Sequence, residues 1–173
     1  MTKAGHLWAI GYDDMGRAEQ VRHEILKLGN KHCLILLDTA VVVRYTDGCV
    51  TLNGEPFVSG PYFRGHSFAS FLAGLALGAP PLTGAAVRAL GGAGGAAAGV
   101  GIGDDFVREV KALMKPGTSA LFVLDREGDM AAILQGIRGL GGTVLKTNVD
   151  LERAKLIQST LAAAAQTFRP GGR

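Results

Sequence analysis

Apolar residues near the start of the chain follow two different patterns, and each pattern predicts one kind of element. The continuous apolar run Leu7–Tyr12 predicts a short buried strand. Between Met15 and Leu28 the apolar residues recur every three or four positions, which predicts an amphipathic helix that follows the capping residue Asp14. The chain therefore opens with a strand and a helix.

Two further runs rich in leucine, isoleucine and valine, at 33–45 and 49–54, meet at Thr46-Asp47-Gly48. An Asp-Gly pair between two such runs predicts an antiparallel hairpin. Asp38 interrupts the first run. We interpret this carboxylate as the mark of a bulge or a sheet edge, because a functional role is the rarer reason for a charge there.

The second half of the chain alternates helical and strand patterns. It predicts strands at 119–125 and 143–147, and helices at 104–115, 130–137 and 150–165, the first two capped by Asp104-Asp105 and Asp129. Without residues 55–103, the first six elements have the β-α-β-β-α-β order. We therefore predict an α+β fold with a ferredoxin-like split βαβ core, extended by a further αβα unit.

The segment between these two halves carries almost no charge. From Ser67 to Gly103 the only charged side chain is Arg88, and Pro80-Pro81 divides the segment into two apolar arms. Two successive prolines break a helix. The segment is therefore predicted to be an inserted helical hairpin.

Glycine is concentrated in this hairpin. The chain has 26 glycines, about twice the usual share, and ten of them lie between Ser67 and Gly103. A glycine inside a helix costs ~1 kcal/mol relative to alanine, and the close approach of a second backbone offsets that cost. We predict a glycine zipper whose helix-packing and assembly residues recur every fourth position in each arm: Gly74, Gly78, Gly91, Gly95, Gly99 and Gly103.

A flexible linker and a pair of membrane-spanning helices are two other interpretations of the hairpin. A flexible linker is rarely this rich in large apolar residues. A bilayer core needs ~20 apolar residues per helix; the second arm reaches this length, whereas the first arm has 13 residues and Arg88 lies within the second. A hairpin that re-enters the bilayer, or one buried between subunits, fits better than two full spans.

These patterns predict five parts of the chain. They are a first α+β part at 1–54, a linker at 55–66, the hairpin at 67–103, a second α+β part at 104–165 and a basic tail at 166–173. The tail contributes two charges, too few to hold the protein on an anionic membrane.

Net charge and cysteine spacing exclude several classes of partner. The formal charge of +3 is scattered, so we expect no nucleic-acid partner. Cys33 and Cys49 show neither metal nor redox spacing, and we expect two buried thiols. The N-terminal segment lacks the pattern of a signal peptide. We therefore expect a cytoplasmic protein that can associate with the inner membrane.

No arrangement of residues predicts catalysis. The four histidines form no metal-binding pair, and we interpret them as surface residues: His6, His23, His32 and His66. No Ser-His-Asp motif or phosphate-binding glycine loop is present. The acidic pairs Asp13-Asp14 and Asp104-Asp105 each precede a helix, where capping explains them. We expect a protein that is not an enzyme and needs neither a cofactor nor a metal.

One stretch resembles a known family. Asp104–Leu124, in which a capped helix, Lys115-Pro116-Gly117 and a strand stand together, is similar to an uncharacterised bacterial family called domain of unknown function 1269. The likeness covers about Leu7 to Leu161. It implies the fold and a membrane-associated location, and it brings no known reaction. Arg88 and Pro80-Pro81 depart from the family pattern.

The sequence thus favours a non-catalytic structural protein that assembles with itself through the zipper, as a closed homo-oligomer or a filament, or that associates with the lipid bilayer. The alternative is a regulatory module that senses a small ligand, because ferredoxin-like domains commonly bind small molecules.

Overall fold

The computed structural model describes residues 4–30, 36–56, 68–77, 99–125, 135, 139 and 141–156. The helices and strands follow in chain order: β1 (Ala4–Tyr12), α1 (Arg17–Asn30), β2 (Leu36–Arg44), β3 (Val50–Leu52), β4 (Glu55–Pro56), α2 (Phe68–Ala76), α3 (Asp104–Leu113), β5 (Thr118–Asp125) and β6 (Thr143–Asp150). Residues 151–156 are also helical. The α+β class is therefore confirmed.

The six strands form one antiparallel sheet in the order β4-β3-β2-β5-β1-β6. β1 lies between β5 and β6, with Leu7 opposite Leu124 and Trp8 opposite Lys146. β5 lies between β1 and β2, and all eight of its residues are buried. A strand covered on both faces has a nearly continuous apolar sequence, which explains why β5 does not alternate.

The place of β3 differs from the prediction. A split βαβ core built from the first six elements would place β3 between β1 and β2, but β3 lies on the outer side of β2 and β5 occupies the inner position. β3 has only three residues paired to β2, whereas eight residue pairs join β2 to β5. The short β4, Glu55–Pro56, continues this hairpin into the predicted linker.

Each face of the sheet packs against different helices. On one face Trp8, Ile10 and Leu121 pack against Val21 and Ile25 of α1. The opposite face carries a larger cluster in which sheet residues such as Phe122 contact α2, α3, the 100–102 loop and the helical residues 151–156. Full burial of a large apolar side chain contributes ~1.5 to 3 kcal/mol. Both faces therefore contribute to the core.

The start of α1 is held by the central strand. Asp14 accepts a hydrogen bond from the Gly16 N–H at 2.7 Å, so it closes a turn before the helix, which begins at Arg17. The Ser119 hydroxyl of β5 accepts the Ala18 N–H at 3.2 Å. Unpaired N–H groups in the first turn of a helix need such acceptors. Asp14 was predicted to cap the helix directly, but it lies three residues before the first helical residue and closes a turn instead. The acceptor that Ser119 supplies was not predicted.

Asp38 lies at the predicted irregularity. The register of β2 with β5 shifts between Leu36 and Asp38, which confirms a bulge or irregularity there. Its carboxylate also accepts the Ala69 N–H of α2 at 3.2 Å. Nearby, the Asn53 amide donates to the Ser70 hydroxyl at 2.7 Å. Asp38 and Asn53 therefore tie the first arm of the predicted hairpin to the sheet.

α3 begins at its predicted position with a different cap. The N-cap is Gly103, which makes no side-chain hydrogen bond, and Asp104 and Asp105 lie in the first turn. The prediction that this acidic pair caps the helix was wrong, although two negative charges there still favour the helix dipole. α3 ends at Leu113, and Gly117 adopts a positive φ in the turn before β5.

Several predictions fall outside the described residues. They concern most of the 130–137 helix, Cys33, His32, His66, the end of the last helix and the basic tail. The start of the last helix is described: Asp150 accepts the Arg153 N–H at 3.1 Å, and Leu151 and Ala154 are buried.

Candidate functional site

The first arm of the predicted zipper lies inside the body of the protein. Every residue of α2 from Ala69 to Ala76 is buried, including Gly74. The arm shares one cluster with residues from five of the six strands and from α3. A helix that is apolar around its whole circumference suits this position. Gly74 therefore packs within this chain.

The end of the second arm is not one continuous helix. Gly99 is helical, but Gly101 has a φ of +91°, and Gly103 is an extended residue with a φ of −75° and a ψ of 155°. A left-handed residue interrupts a right-handed helix. The prediction of one helical face that continues from Gly99 to Gly103 was therefore wrong, because the chain turns at Gly101 to begin α3.

The glycines of this loop differ in what a side chain would meet. At Gly101 an added Cβ would lie 3.0 Å from the Asn148 carbonyl oxygen. Among the described residues, the nearest atom at Gly99 would be Nε of Arg153, at an ordinary contact distance of 3.7 Å, and at Gly103 no atom lies within 4 Å. Neither Gly99 nor Gly103 has a positive φ. Within the described chain, only Gly101 of the three needs to be glycine.

The remaining zipper positions are Gly78, Gly91 and Gly95. They lie outside the described residues, as do Arg88 and Pro80-Pro81. In the part of the chain that the structure describes, no helix combines the length and the apolar character needed to cross a membrane.

A buried carboxylate lies at the start of β1, where sequence analysis predicted no site. Asp125 is fully buried, accepts the Trp8 indole N–H at 2.9 Å and lies 3.0 Å from His6 Nδ1. The His6 side chain is 32% exposed, so it is not the free surface histidine that we expected. A buried charge is stable when it is paired and hydrogen-bonded. These contacts satisfy both carboxylate oxygens, and we interpret the cluster as structural.

A cavity of about 340 Å³ lies at the opposite end of β1, where the strand turns into α1. Its lining comes from the β1–α1 turn, the end of α3 and the start of β6: Gly11, Tyr12, Asp13, Asp14, Arg17, Leu113, Gly142 and Thr143. Residues with charges of both signs therefore line one small cavity.

Tyr12 is the unusual member of this lining. Its side chain is buried, with 5% of the residue exposed, and its hydroxyl finds no hydrogen-bond partner within the described chain. Burial raises the pKa of the Tyr12 phenol to about 12, and the nearby charge of Arg17 opposes this rise. Burial therefore keeps the phenol protonated up to a higher pH than an exposed tyrosine. An unpaired buried polar group calls for an explanation.

Gly142 makes room for the Tyr12 ring. Gly142 has a φ of +106°, and an added Cβ would lie 2.6 Å from Cε1 and 3.1 Å from Cζ of Tyr12. Because Cζ carries the hydroxyl, the polar end of the ring lies beside a glycine that itself lines the cavity. The sequence predicted a turn at Gly139–Gly142, but it gave no signal that the turn borders a cavity.

Metal and thiol chemistry find little support in the described residues. No group of three or more His, Cys, Asp or Glu side chains in these ranges could hold a metal ion. Cys49 is exposed, contrary to the expectation of a buried thiol. A hydrogen bond with Asp47 and the charge of Asp47 raise the pKa of the Cys49 thiol. That shift disfavours the reactive thiolate.

Comparison with known proteins gives one match. The model of a family described as "Protein of unknown function (DUF1269)" matches residues 64–162, which is more than half of the chain. No curated protein and no solved structure matches the chain. The matched range includes α2, α3, β5 and β6.

Proposed function

The chain belongs to the DUF1269 family of proteins of unknown function, as its Asp104–Leu124 stretch predicted, and we propose that it is a non-catalytic structural protein that self-assembles. In this proposal the contact is made by the second arm of the glycine-rich segment, and the partner is another copy of the chain. The α+β body remains in the cytoplasm.

The observation that carries the proposal is that no described residue explains why Gly99 and Gly103 are glycines. Neither residue has a positive φ, and neither lies so close to a described atom that a Cβ would clash. Glycine costs stability wherever its conformational freedom is not needed. A close contact with a second chain would supply a reason that the described part of this chain does not contain.

The spacing upstream supports the same interpretation. Gly91 and Gly95 precede Gly99 at intervals of four residues, so in a helix all three would lie along one face. Small residues at this spacing let two helix backbones approach closely, and dispersion and weak Cα–H···O contacts then stabilise the pair.

Burial of the first arm favours another protein chain over lipid as the partner. α2 is buried in the core, and its Ala69 N–H donates to the Asp38 carboxylate. A hairpin that entered the bilayer with both arms would have to remove α2 from the sheet and expose its apolar contacts to water. Contact between copies requires only the second arm, and a contact that does not close on itself would build a filament.

We also propose that the body is a ferredoxin-like split βαβ domain with a different strand assignment from the one predicted. The four strands β6-β1-β5-β2 support this proposal, because their neighbours are antiparallel and their order corresponds to 4-1-3-2. On this assignment, the insertion between the second and third core strands contains β3, β4, α2, the glycine-rich segment and α3.

Light scattering after size-exclusion chromatography tests self-assembly. We expect the full chain to elute as a species several times heavier than the 18.0 kDa monomer. Gly99→Leu should shift it to a small species, since the added side chain would hold two backbones apart. Glu109→Leu is the matched control, because it adds the same side chain to an exposed position of α3, and it should leave the size unchanged.

Two outcomes would overturn the proposal. One is a monomer of the full chain with and without detergent. The other is a large species that only detergent disperses and that binds phosphatidylglycerol vesicles, because that result would assign the segment to the membrane. Circular dichroism of both variants establishes that the body remains folded.

A further inference from the structure

The two edges of the sheet are protected to different degrees. At one edge, β4 has only two residues, and its Pro56 has no N–H group to offer to a further strand. At the other edge, β6 has eight residues, Thr143–Asp150, and contains no proline. A long edge strand with unpaired backbone groups is a template for pairing with another strand.

Part of the β6 edge is covered by the chain itself. The Asp150 N–H donates to the Val100 carbonyl at 2.8 Å, so this N–H points away from β1. Gly101, in the same loop as Val100, lies beside the Asn148 carbonyl. The loop therefore covers the end of β6, and no described strand pairs with the outer side of residues 143–147.

The open part of this edge presents the backbone groups of Val144 and Lys146. N–H groups of alternate residues in a strand point the same way, so these two point outward as that of Asp150 does. Neither donates to a described residue outside the sheet. Lysine commonly guards an edge, but the Lys146 ammonium lies 4.8 Å from the centroid of the Trp8 ring. Its charge is therefore held over the face of the sheet.

From these observations we propose that residues 143–147 pair in antiparallel fashion with the same residues of a second copy, which joins the two sheets into one. A two-fold axis at Leu145 sets the register. It places Val144 opposite Lys146 of the second copy, where their outward N–H and carbonyl groups exchange hydrogen bonds. The same surface is used by both copies, as in most symmetric dimers.

The neighbouring registers are less favourable. An axis at Lys146 would place the two lysines directly opposite each other, which is destabilising, and it would need the Asn148 carbonyl that the loop covers. An axis at Val144 would use Gly142, which precedes the strand and has a φ of +106°. Only the axis at Leu145 therefore pairs strand residues throughout and keeps like charges apart.

Side chains on the other face of β6 favour the same axis. Thr143 lies opposite Thr147 of the second copy, and threonine pairs across strands are stabilising. The two Leu145 side chains meet next to the core cluster that each already contacts. The edge is therefore complementary to itself, which favours a second copy over a segment of another protein.

This contact goes beyond the proposed function, because it does not use the glycine-rich segment. A chain with two different self-contacts would have a dimer as its smallest assembled unit. When Gly99→Leu breaks the contact between glycines, the β6 contact should therefore leave a dimer.

Sedimentation equilibrium of the Gly99→Leu chain tests the proposal. We expect twice the 18.0 kDa mass of the monomer. Adding Val144→Lys should weaken the dimer by about tenfold, because the axis repeats the repulsion from Lys146. Adding Val144→Glu should strengthen it, and 1 M salt should remove that gain. Leu26→Lys is the matched control, because Leu26 is 37% exposed and Val144 is 36% exposed, and it should have no effect.

Amide hydrogen exchange at Lys146 locates the contact. Its N–H should exchange at least about tenfold more slowly in the Gly99→Leu dimer than after Val144→Lys is added. If Gly99→Leu leaves a large species intact, the contact between glycines is refuted, and the same change in exchange still tests the β6 edge. Circular dichroism establishes that each variant remains folded.

Two results would overturn the proposal. One is a monomeric Gly99→Leu chain whose Lys146 N–H exchanges as fast as it does with Val144→Lys. The other is a dimer whose dissociation constant changes no more with Val144→Lys than with Leu26→Lys, since its contact would then lie elsewhere.

Discussion

Gly101 and Gly142 differ from Gly99 and Gly103 in what requires them. The first two have positive φ values, and a Cβ at either would press against a neighbour, the Asn148 carbonyl or the Tyr12 ring. The second two have ordinary φ values and no close neighbour within the described chain. The described part of the chain therefore explains the first two glycines and gives no reason for the second two.

The largest effect on stability should come from Gly142→Ala. The new Cβ would overlap the Tyr12 ring and strain a left-handed backbone, and together these should lower the free energy of unfolding by about 3 kcal/mol. Urea denaturation measures this loss. Gly139→Ala is the control, since Gly139 has a φ of +93° and no described atom within 4 Å, and it should cost about 1 kcal/mol. Equal losses would contradict the Tyr12 contact.

A somewhat smaller effect should follow the ionisation of Tyr12. The unfolded chain loses this proton near pH 10, whereas the folded chain keeps it up to about pH 12. Stability should therefore fall by roughly 2 to 3 kcal/mol as the pH rises from 10 to 12. Urea denaturation across this range should show the loss in Tyr45→Phe and not in Tyr12→Phe. The same loss in both variants would contradict the burial of the phenol.

Gly101→Ala should lower the free energy of unfolding by about 2 kcal/mol, because it combines a left-handed φ with a Cβ close to the Asn148 carbonyl. Gly48→Ala separates the two causes, since Gly48 has a φ of +92° in the β2–β3 turn and no atom of the described chain within 4 Å. Its cost should be about 1 kcal/mol. If chemical denaturation gave the same value for both, the Asn148 contact would have no energetic weight.

The smallest effects on stability should come from substitutions at Gly99 and Gly103. Gly99→Ala should leave the unfolding free energy unchanged or raise it by up to ~1 kcal/mol, because alanine is the better helix former. Gly103→Ser should raise it by a few tenths of a kcal/mol, because serine is a good N-cap for α3. A loss of more than about 1 kcal/mol in either variant would mean that the single chain itself requires these glycines.

Local patterns were enough to predict most of the fold. The three-four spacing of Val21 and Ile25 located α1, and the Asp-Gly pair located the β2–β3 turn. α2 was predicted as a helix but assigned to a separate hairpin, because a helix that is apolar all round suits both a core and an assembly. Only contacts with strands far away in sequence distinguish a core helix from an assembly helix, and these contacts place α2 in the core.

The strand order and the cavity could not be predicted in the same way. Asp125 meets Trp8 across 117 positions of sequence, and no local pattern reports a contact at that distance. The same is true of Tyr12 and Gly142, which become neighbours only because β6 pairs with β1. Gly103 was mispredicted for a different reason. Its regular spacing from Gly99 predicted a shared helix face, but the left-handed backbone at Gly101 ends the helix before Gly103.

Disulfide trapping tests most directly whether Gly99, which no described residue requires to be glycine, lies against another copy. Gly99→Cys is prepared in a chain that carries Cys33→Ser and Cys49→Ser, with Glu109→Cys as the control on α3. A disulfide forms only where two Cα atoms lie within about 7 Å. We predict that mild oxidation converts most of the Gly99→Cys protein to a covalent dimer and leaves Glu109→Cys monomeric. A Gly99→Cys protein that stays monomeric, or that links no faster than Glu109→Cys, would contradict the account.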